Sequence, residues 1–141
     1  RLFHGILSLS LLGAAIATGS AAGADPVLYA AACAGGLLLI FYAYCAKCPC
    51  RKTACAHVLP GLVTRLLPRR ATGAYRWPDY SGLAIGVLAI FAVPQPALSQ
   101  KPELLALFWG LVAVAIVEIL LFLCAGCPNK NCTLCRDRTG H

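Results

Sequence analysis

Four long apolar runs alternate with short polar segments along the chain. They are almost free of charge and span Leu2–Ala22, Val27–Tyr44, Gly82–Val93 and Leu104–Leu123. A helix needs roughly 20 apolar residues to cross the hydrocarbon core of a bilayer. The third run is the shortest, and it approaches that length only when it is extended through Pro94 and Pro96 to Leu98. The pattern therefore predicts an all-α membrane protein with four transmembrane helices.

The composition leaves little chain for a water-soluble core. Only 12% of the 141 residues are charged, against about 25% in a typical soluble domain. Segment 47–80 is the longest between the predicted spans, and a unit that short usually needs metal or disulfide support. We therefore predict a transmembrane hairpin at 1–46, a basic Cys/His loop at 47–80, a second hairpin at 81–124 and a Cys-rich tail at 125–141.

Basic residues are concentrated on one side of the predicted bundle. With four spans, both termini and the 47–80 loop share one face, and that face carries 11 of the 12 Lys and Arg residues. Positive loops stay on the cytoplasmic side, so we expect both termini and the cysteines on the cytoplasmic side, or on the matrix or stromal side of an organelle. The same charge suits anionic membrane lipids. Nucleic acid is not expected as a partner, because few aromatic residues interleave with the basic ones.

The two halves of the chain share a motif at the end of their second apolar run. Cys45-Ala46-Lys47-Cys48-Pro49 aligns with Cys124-Ala125-Gly126-Cys127-Pro128 at a constant offset. Duplication of a two-span unit explains the offset and predicts two parallel-repeat hairpins, related by an axis along the membrane normal. Chance recurrence at helix ends is the alternative, since only the cysteine motif is distinctive. Small residues in the spans, such as Gly35-Gly36 and Gly82-xxx-Gly86, further predict close helix packing.

Eight of the nine cysteines fall in two short clusters that follow the second and fourth runs. Zn²⁺ takes four nitrogen or sulfur donors at about 2.0–2.3 Å in a tetrahedral arrangement. We therefore expect one structural zinc ion at each cluster, with either Cys50 or His57 left out of the first set, or else one shared binuclear cluster. The candidate ligands are Cys45, Cys48, Cys50, Cys55 and His57 in the first cluster, and Cys124, Cys127, Cys132 and Cys135 in the second.

Three other uses of these thiols stay open. Sets of four cysteines also bind iron–sulfur clusters, and juxtamembrane cysteines near basic residues can be palmitoylated. A dithiol redox role is the third, because four-helix membrane oxidoreductases of the vitamin K epoxide reductase type also place CxxC near a helix end. Those enzymes work toward the oxidising side, whereas the charge distribution here places the thiols on the other side, so the similarity is one of architecture alone.

Glu118 is the single acid within the fourth run. It lies six residues before Cys124, which is about 9 Å inside the helix end at a rise of about 1.5 Å per residue. Acids within a membrane usually face protein or water and have a partner. We expect a polar partner from the first span, where His4, Ser8 and Ser10 lie at comparable depth, or from an adjoining subunit. The first interpretation is a group that ties helices together, and the second is a proton or cation site.

Catalytic motifs are otherwise missing from the sequence, which has no phosphate-binding loop and no evident Ser/His/Asp set. An enzyme is therefore not the favoured interpretation. The sequence favours a small integral membrane subunit that serves as an accessory or assembly component of a larger complex, with lipids and other membrane subunits as partners. The alternative is a membrane redox protein that uses an iron–sulfur cluster or a dithiol pair.

Overall fold

The computed structural model is all-helical over the residues that it describes, which are 2–48, 63–64, 66–68 and 70–124. Helix α2 continues into a 3-10 turn, Cys45–Lys47, and α5 continues into a π-helical segment, Ile119–Cys124. The α-helices are α1 (Leu2–Ala21), α2 (Pro26–Ala43), α3 (Trp77–Ala92), α4 (Gln95–Leu98) and α5 (Pro102–Glu118).

Four of the described helical segments are long and apolar enough to cross a membrane: Phe3–Ala21, Pro26–Lys47, Trp77–Leu98 and Pro102–Cys124. The described residues thus contain the predicted number of helices that are long and apolar enough to span a membrane. Their outer surfaces carry large apolar side chains, including Phe3 and Val27, which are 71% and 78% exposed. Such surfaces are stable against lipid and costly against water.

The third span begins earlier than predicted, at Trp77 instead of Gly82. Pro78 lies in its first turn, where the missing N–H costs nothing and the fixed φ suits the helix. The Asp79 carboxylate accepts a hydrogen bond from the backbone N–H of Arg76 at 2.8 Å, which satisfies a donor at the helix start. Residues 77–80, assigned to the loop from the sequence, thus belong to the helix.

The closest helix packing joins the two halves of the chain. Helix α2 packs on α3, and α1 packs on α5. Within the described residues, the consecutive long helices α1 and α2, or α3 and α5, approach each other much less closely. The arrangement as two repeat hairpins therefore stays a prediction.

Glycines allow the backbones of α2 and α3 to approach each other. A Cβ added at Gly36 would lie 2.7 Å from the carbonyl oxygen of Gly86, and one added at Gly82 would lie 2.5 Å from the Cβ of Ala43. Small residues permit such contacts in lipid, where packing replaces the hydrophobic drive between helices. The Gly82-xxx-Gly86 spacing therefore marks a helix interface.

A separate apolar cluster holds α1 against α5. Leu98, Phe108 and Val112 pack with Ala15 and Ala22, and Leu98 and Phe108 are fully buried. Near this cluster the amide of Gln95 donates to the carbonyl oxygen of Phe91 at 2.7 Å. That bond stabilises the proline-rich corner between α3 and α5. Leu98 lies at this corner and points into the core.

Contacts between helix termini show which ends lie together. The Lys101 Nζ lies 3.4 Å from the Ala21 carbonyl oxygen, so the end of α1 adjoins the start of α5. At the opposite end, His4 meets Glu118 and Lys47 meets Asp79. One end of the bundle is therefore formed by the start of α1, the 3-10 turn after α2, the start of α3 and the end of the π-helical segment. We call it the cysteine end because Cys45, Cys48 and Cys124 lie there.

We predict that Gly36→Ala destabilises the bundle, whereas Gly35→Ala does not. The added methyl at Gly36 meets backbone and the Ile90 side chain, but Gly35 has nothing within 4 Å of its added Cβ. Overpacking of this kind typically costs about 1–3 kcal/mol, while relief of a helical glycine gains about 0.5–1 kcal/mol. Thermal unfolding of the purified protein in detergent measures the difference, and equal effects of the two variants would contradict the close packing of α2 on α3.

Candidate functional site

A buried carboxylate, that of Asp79, is the centre of the cysteine end. The residue is 1% exposed. The Lys47 Nζ lies 2.6 Å from its Oδ2, and an Arg70 guanidinium nitrogen lies 2.9 Å from its Oδ1. An isolated buried charge costs several kcal/mol, and these two cations compensate the charge of Asp79.

Arg70 and Lys47 are themselves positioned by the end of α2 and by aromatic rings. Arg70 donates to the carbonyl oxygen of Ala43 at 2.9 Å, and its guanidinium lies 5.3 Å from the centroid of Tyr42. The Lys47 ammonium lies 5.8 Å from the centroid of Tyr75. A cation at a helix C-terminus meets the negative end of the dipole, and cation–π contacts add to that attraction.

An open cavity of about 400 Å³ lies beside this ion cluster. It is lined by three basic residues, Lys47, Arg70 and Arg76, by Pro78 and Asp79 of the first turn of α3, and by the segment 71–74. Three cations and a single carboxylate line it, so the cavity carries a positive excess. We call it the basic cleft.

The structure places only the first members of the two predicted metal-ligand sets. Cys45 and Cys48 are half-buried at the 3-10 turn after α2, and Cys124 is buried at the end of the π-helical segment. The other candidate ligands, Cys50, Cys55, His57, Cys127, Cys132 and Cys135, lie outside the described residues. Within the described ranges, no three Cys, His, Asp or Glu side chains converge as a metal site, so zinc stays a prediction.

Glu118 has a polar partner on the first helix. Its Oε2 lies 3.0 Å from the His4 Nδ1, and its side chain is 15% exposed. This agrees with the expectation of a partner from the first span. The His4 ring also stacks on Phe122, with centroids 4.2 Å apart and planes 2° from parallel. The start of α1 is thus joined to the end of the fourth span through one hydrogen bond and one ring contact.

The backbone changes its helix type next to this pair. Glu118 is the last residue of α5, and the π-helical segment that follows carries Phe122. Such segments often occur at functional sites, and here the altered register brings the Phe122 ring over His4. On the first helix, the Ser8 hydroxyl donates to the carbonyl oxygen of His4 at 2.8 Å.

Sequence reasoning missed the Asp79 cluster. Asp79 is the only acid between residues 26 and 102, and it follows Arg76 by three residues with Pro78 between, which is a helix-start pattern. That pattern could have placed the acid at the end of a span. Its pairing with Lys47 and Arg70 was beyond sequence analysis, because both partners lie on other parts of the chain.

Comparison with known proteins adds no relative. No family model matches the chain, and no curated protein and no solved structure is significantly similar to it. The function must therefore be argued from the residues themselves.

We predict that Asp79→Asn strongly destabilises the protein. The change leaves Lys47 and Arg70 without their counter-charge, and removing one member of a buried ion pair typically costs about 3–5 kcal/mol. Glu103→Gln is the matched control, because Glu103 is an exposed acid in the first turn of another span. Chemical or thermal unfolding in detergent measures the effect, and combining Asp79→Asn with Lys47→Gln should restore part of the loss. An Asp79→Asn protein as stable as the control would rule out the ion cluster.

We predict energetic coupling between His4 and Glu118. Replacing either residue with Leu leaves the other polar group without its partner in an apolar setting, at a typical cost of about 1–3 kcal/mol. The double variant should therefore lose less stability than the sum of the single variants, which a double-mutant cycle in detergent detects. Glu118→Gln keeps a hydrogen-bonding group and should leave assembly intact. Strictly additive losses would show that the two side chains do not act together.

Proposed function

We propose that the chain is a small integral membrane subunit that acts as an accessory or assembly component of a larger membrane complex. In this proposal, zinc-type cysteine clusters at the cysteine end stabilise the polar segments 47–76 and 125–141. The observation that carries the proposal is the placement of the first cysteines of both motifs, Cys45 and Cys124, at the same end of the bundle. Two metal sites there, or one shared binuclear site, are compatible with that placement.

The helix pairing supports descent from a duplicated two-span unit. The sequence offset that aligns Cys45 with Cys124 also aligns the residues of α1 with those of α3 and α4, and the residues of α2 with those of α5. The two main interfaces are α1 with α5 and α2 with α3. If the two halves of the chain are exchanged, so that α1 takes the place of α3 and α2 that of α5, each of these interfaces becomes the other. Parallel repeats with an even number of spans have this property. We therefore propose a bundle in which the two cysteine motifs are equivalent positions.

The surface of the bundle supports a role among lipids and other subunits. At most 28% of any span is buried inside the chain, and aliphatic side chains such as Ile85 and Leu88 are 57% and 62% exposed. Lipid tails or neighbouring transmembrane helices cover such surfaces equally well. By the positive-inside rule, we propose that the cysteine end faces the cytoplasm, or the matrix or stroma of an organelle.

We predict that the purified protein contains zinc. Elemental analysis should give about two zinc ions per chain, each bound by four ligands, and Cys127→Ser should remove one of them. Cys33→Ala is the matched control, because Cys33 is buried in the core of α2 and α3, away from both motifs. Iron with visible absorption would favour the redox alternative. Absence of both metals, or acyl chains on Cys45 and Cys48, would contradict the zinc proposal.

The same two variants test the assembly role. In membranes solubilised with a mild detergent, the native chain should migrate on a native gel as part of a larger complex. Cys127→Ser should shift it to the size of the free chain, whereas Cys33→Ala should leave it in the complex. A native chain that runs alone would contradict the proposed role as a subunit.

A further inference from the structure

We infer that the basic cleft binds a phosphate-bearing anion, either the headgroup of an anionic phospholipid or free phosphate. The inference is independent of the proposed zinc sites and of the proposed subunit role. The cleft has a volume of about 400 Å³, which lies within the range of roughly 300–1,000 Å³ that is typical of small-molecule sites. It opens at the cysteine end, beside the start of α3.

The first argument is the charge of the walls. Asp79 supplies one negative charge, and both Lys47 and Arg70 are already paired with it. Arg76 also lines the cleft and is exposed, and it forms no ion pair with any described acid. The described walls therefore carry three cations against one anion, and the net charge favours an anionic occupant.

The second argument is the kind of donor that the walls present. A guanidinium is planar and offers paired N–H donors that match phosphate oxygens. Arg70 and Arg76 supply two guanidinium groups, and Lys47 supplies an ammonium. The cleft also lies at the N-terminus of α3, a helix of 16 residues, where the helix dipole adds positive potential. These groups suit phosphate better than a small, weakly charged anion.

The third argument is position, and it favours a lipid headgroup over free phosphate. The cleft lies at the first residues of the span Trp77–Leu98. Trp77 is 82% exposed there, and Tyr75 and Tyr80 lie within 6.3 Å of each other by ring centroid. Aromatic side chains of this type mark the headgroup level of a bilayer. Basic pockets at that depth between transmembrane helices are suited to anionic headgroups.

The purified full-length chain in neutral detergent tests the inference. Binding of phosphatidylglycerol, phosphatidylcholine and inorganic phosphate is measured separately by native mass spectrometry, with the melting temperature as a second readout. Phosphatidylglycerol should bind and stabilise the protein, and phosphatidylcholine should do so more weakly. Stabilisation by inorganic phosphate without a response to phosphatidylglycerol would support the anion site and identify its source as soluble phosphate.

Two variants locate the binding. Arg76→Gln should weaken phosphatidylglycerol binding roughly five-fold, the effect of one basic residue near a membrane surface, and Arg76→Lys should keep most of it. Lys101→Gln is the control, because Lys101 is an exposed base at the opposite end of the bundle. No response to either anion, no effect of Arg76→Gln, or an equal effect of Lys101→Gln would overturn the inference.

Discussion

The buried Asp79 carboxylate is the constraint on which the cysteine end depends. The Asp79 carboxylate is 1% exposed at the start of the apolar helix α3, so its charge must be compensated by neighbouring cations. Lys47 reaches it from the turn after α2, and Arg70 reaches it from the connecting segment. The requirement for counter-charge thus fixes three parts of the chain relative to one another: the end of α2, the start of α3 and the segment that joins them. The basic cleft exists because these cations gather at a single acid.

Each main helix pair combines close packing with one polar contact at the cysteine end. For α2 and α3 these are the glycine contacts and the Lys47–Asp79 pair. For α1 and α5 they are the Phe108 cluster and the His4–Glu118 pair. Apolar side chains gain little by leaving lipid for another helix, so specificity must come from shape and from polar groups. A polar pair also fixes the register, because a slip of one residue along either helix would separate its partners.

Among the described residues, one end of the bundle holds the cations of Lys47, Arg70 and Arg76, the thiols of Cys45, Cys48 and Cys124, and both polar pairs. The opposite end holds the Lys101 contact to the Ala21 carbonyl, the Asp25 cap of α2 and the Gln95 corner, and no ion pair among the described residues lies there. This asymmetry is the reason that both the proposed metal sites and the inferred anion site belong to the same face.

The sequence by itself predicted an all-helical chain with four helices long and apolar enough to span a membrane, and the described residues contain four such helices. Length and lack of charge in a run are local properties, and they decide whether a helix can cross a bilayer. The depth of Glu118 and the presence of polar groups in the first span also followed from helical rise, which is why a partner such as His4 was expectable. The tertiary structure alone decided that α2 packs on α3 and α1 on α5, and that Asp79 joins Lys47 and Arg70. These pairings depend on which helix surfaces fit together and which charged groups meet although they are far apart in the sequence. A local pattern of residues does not contain that information.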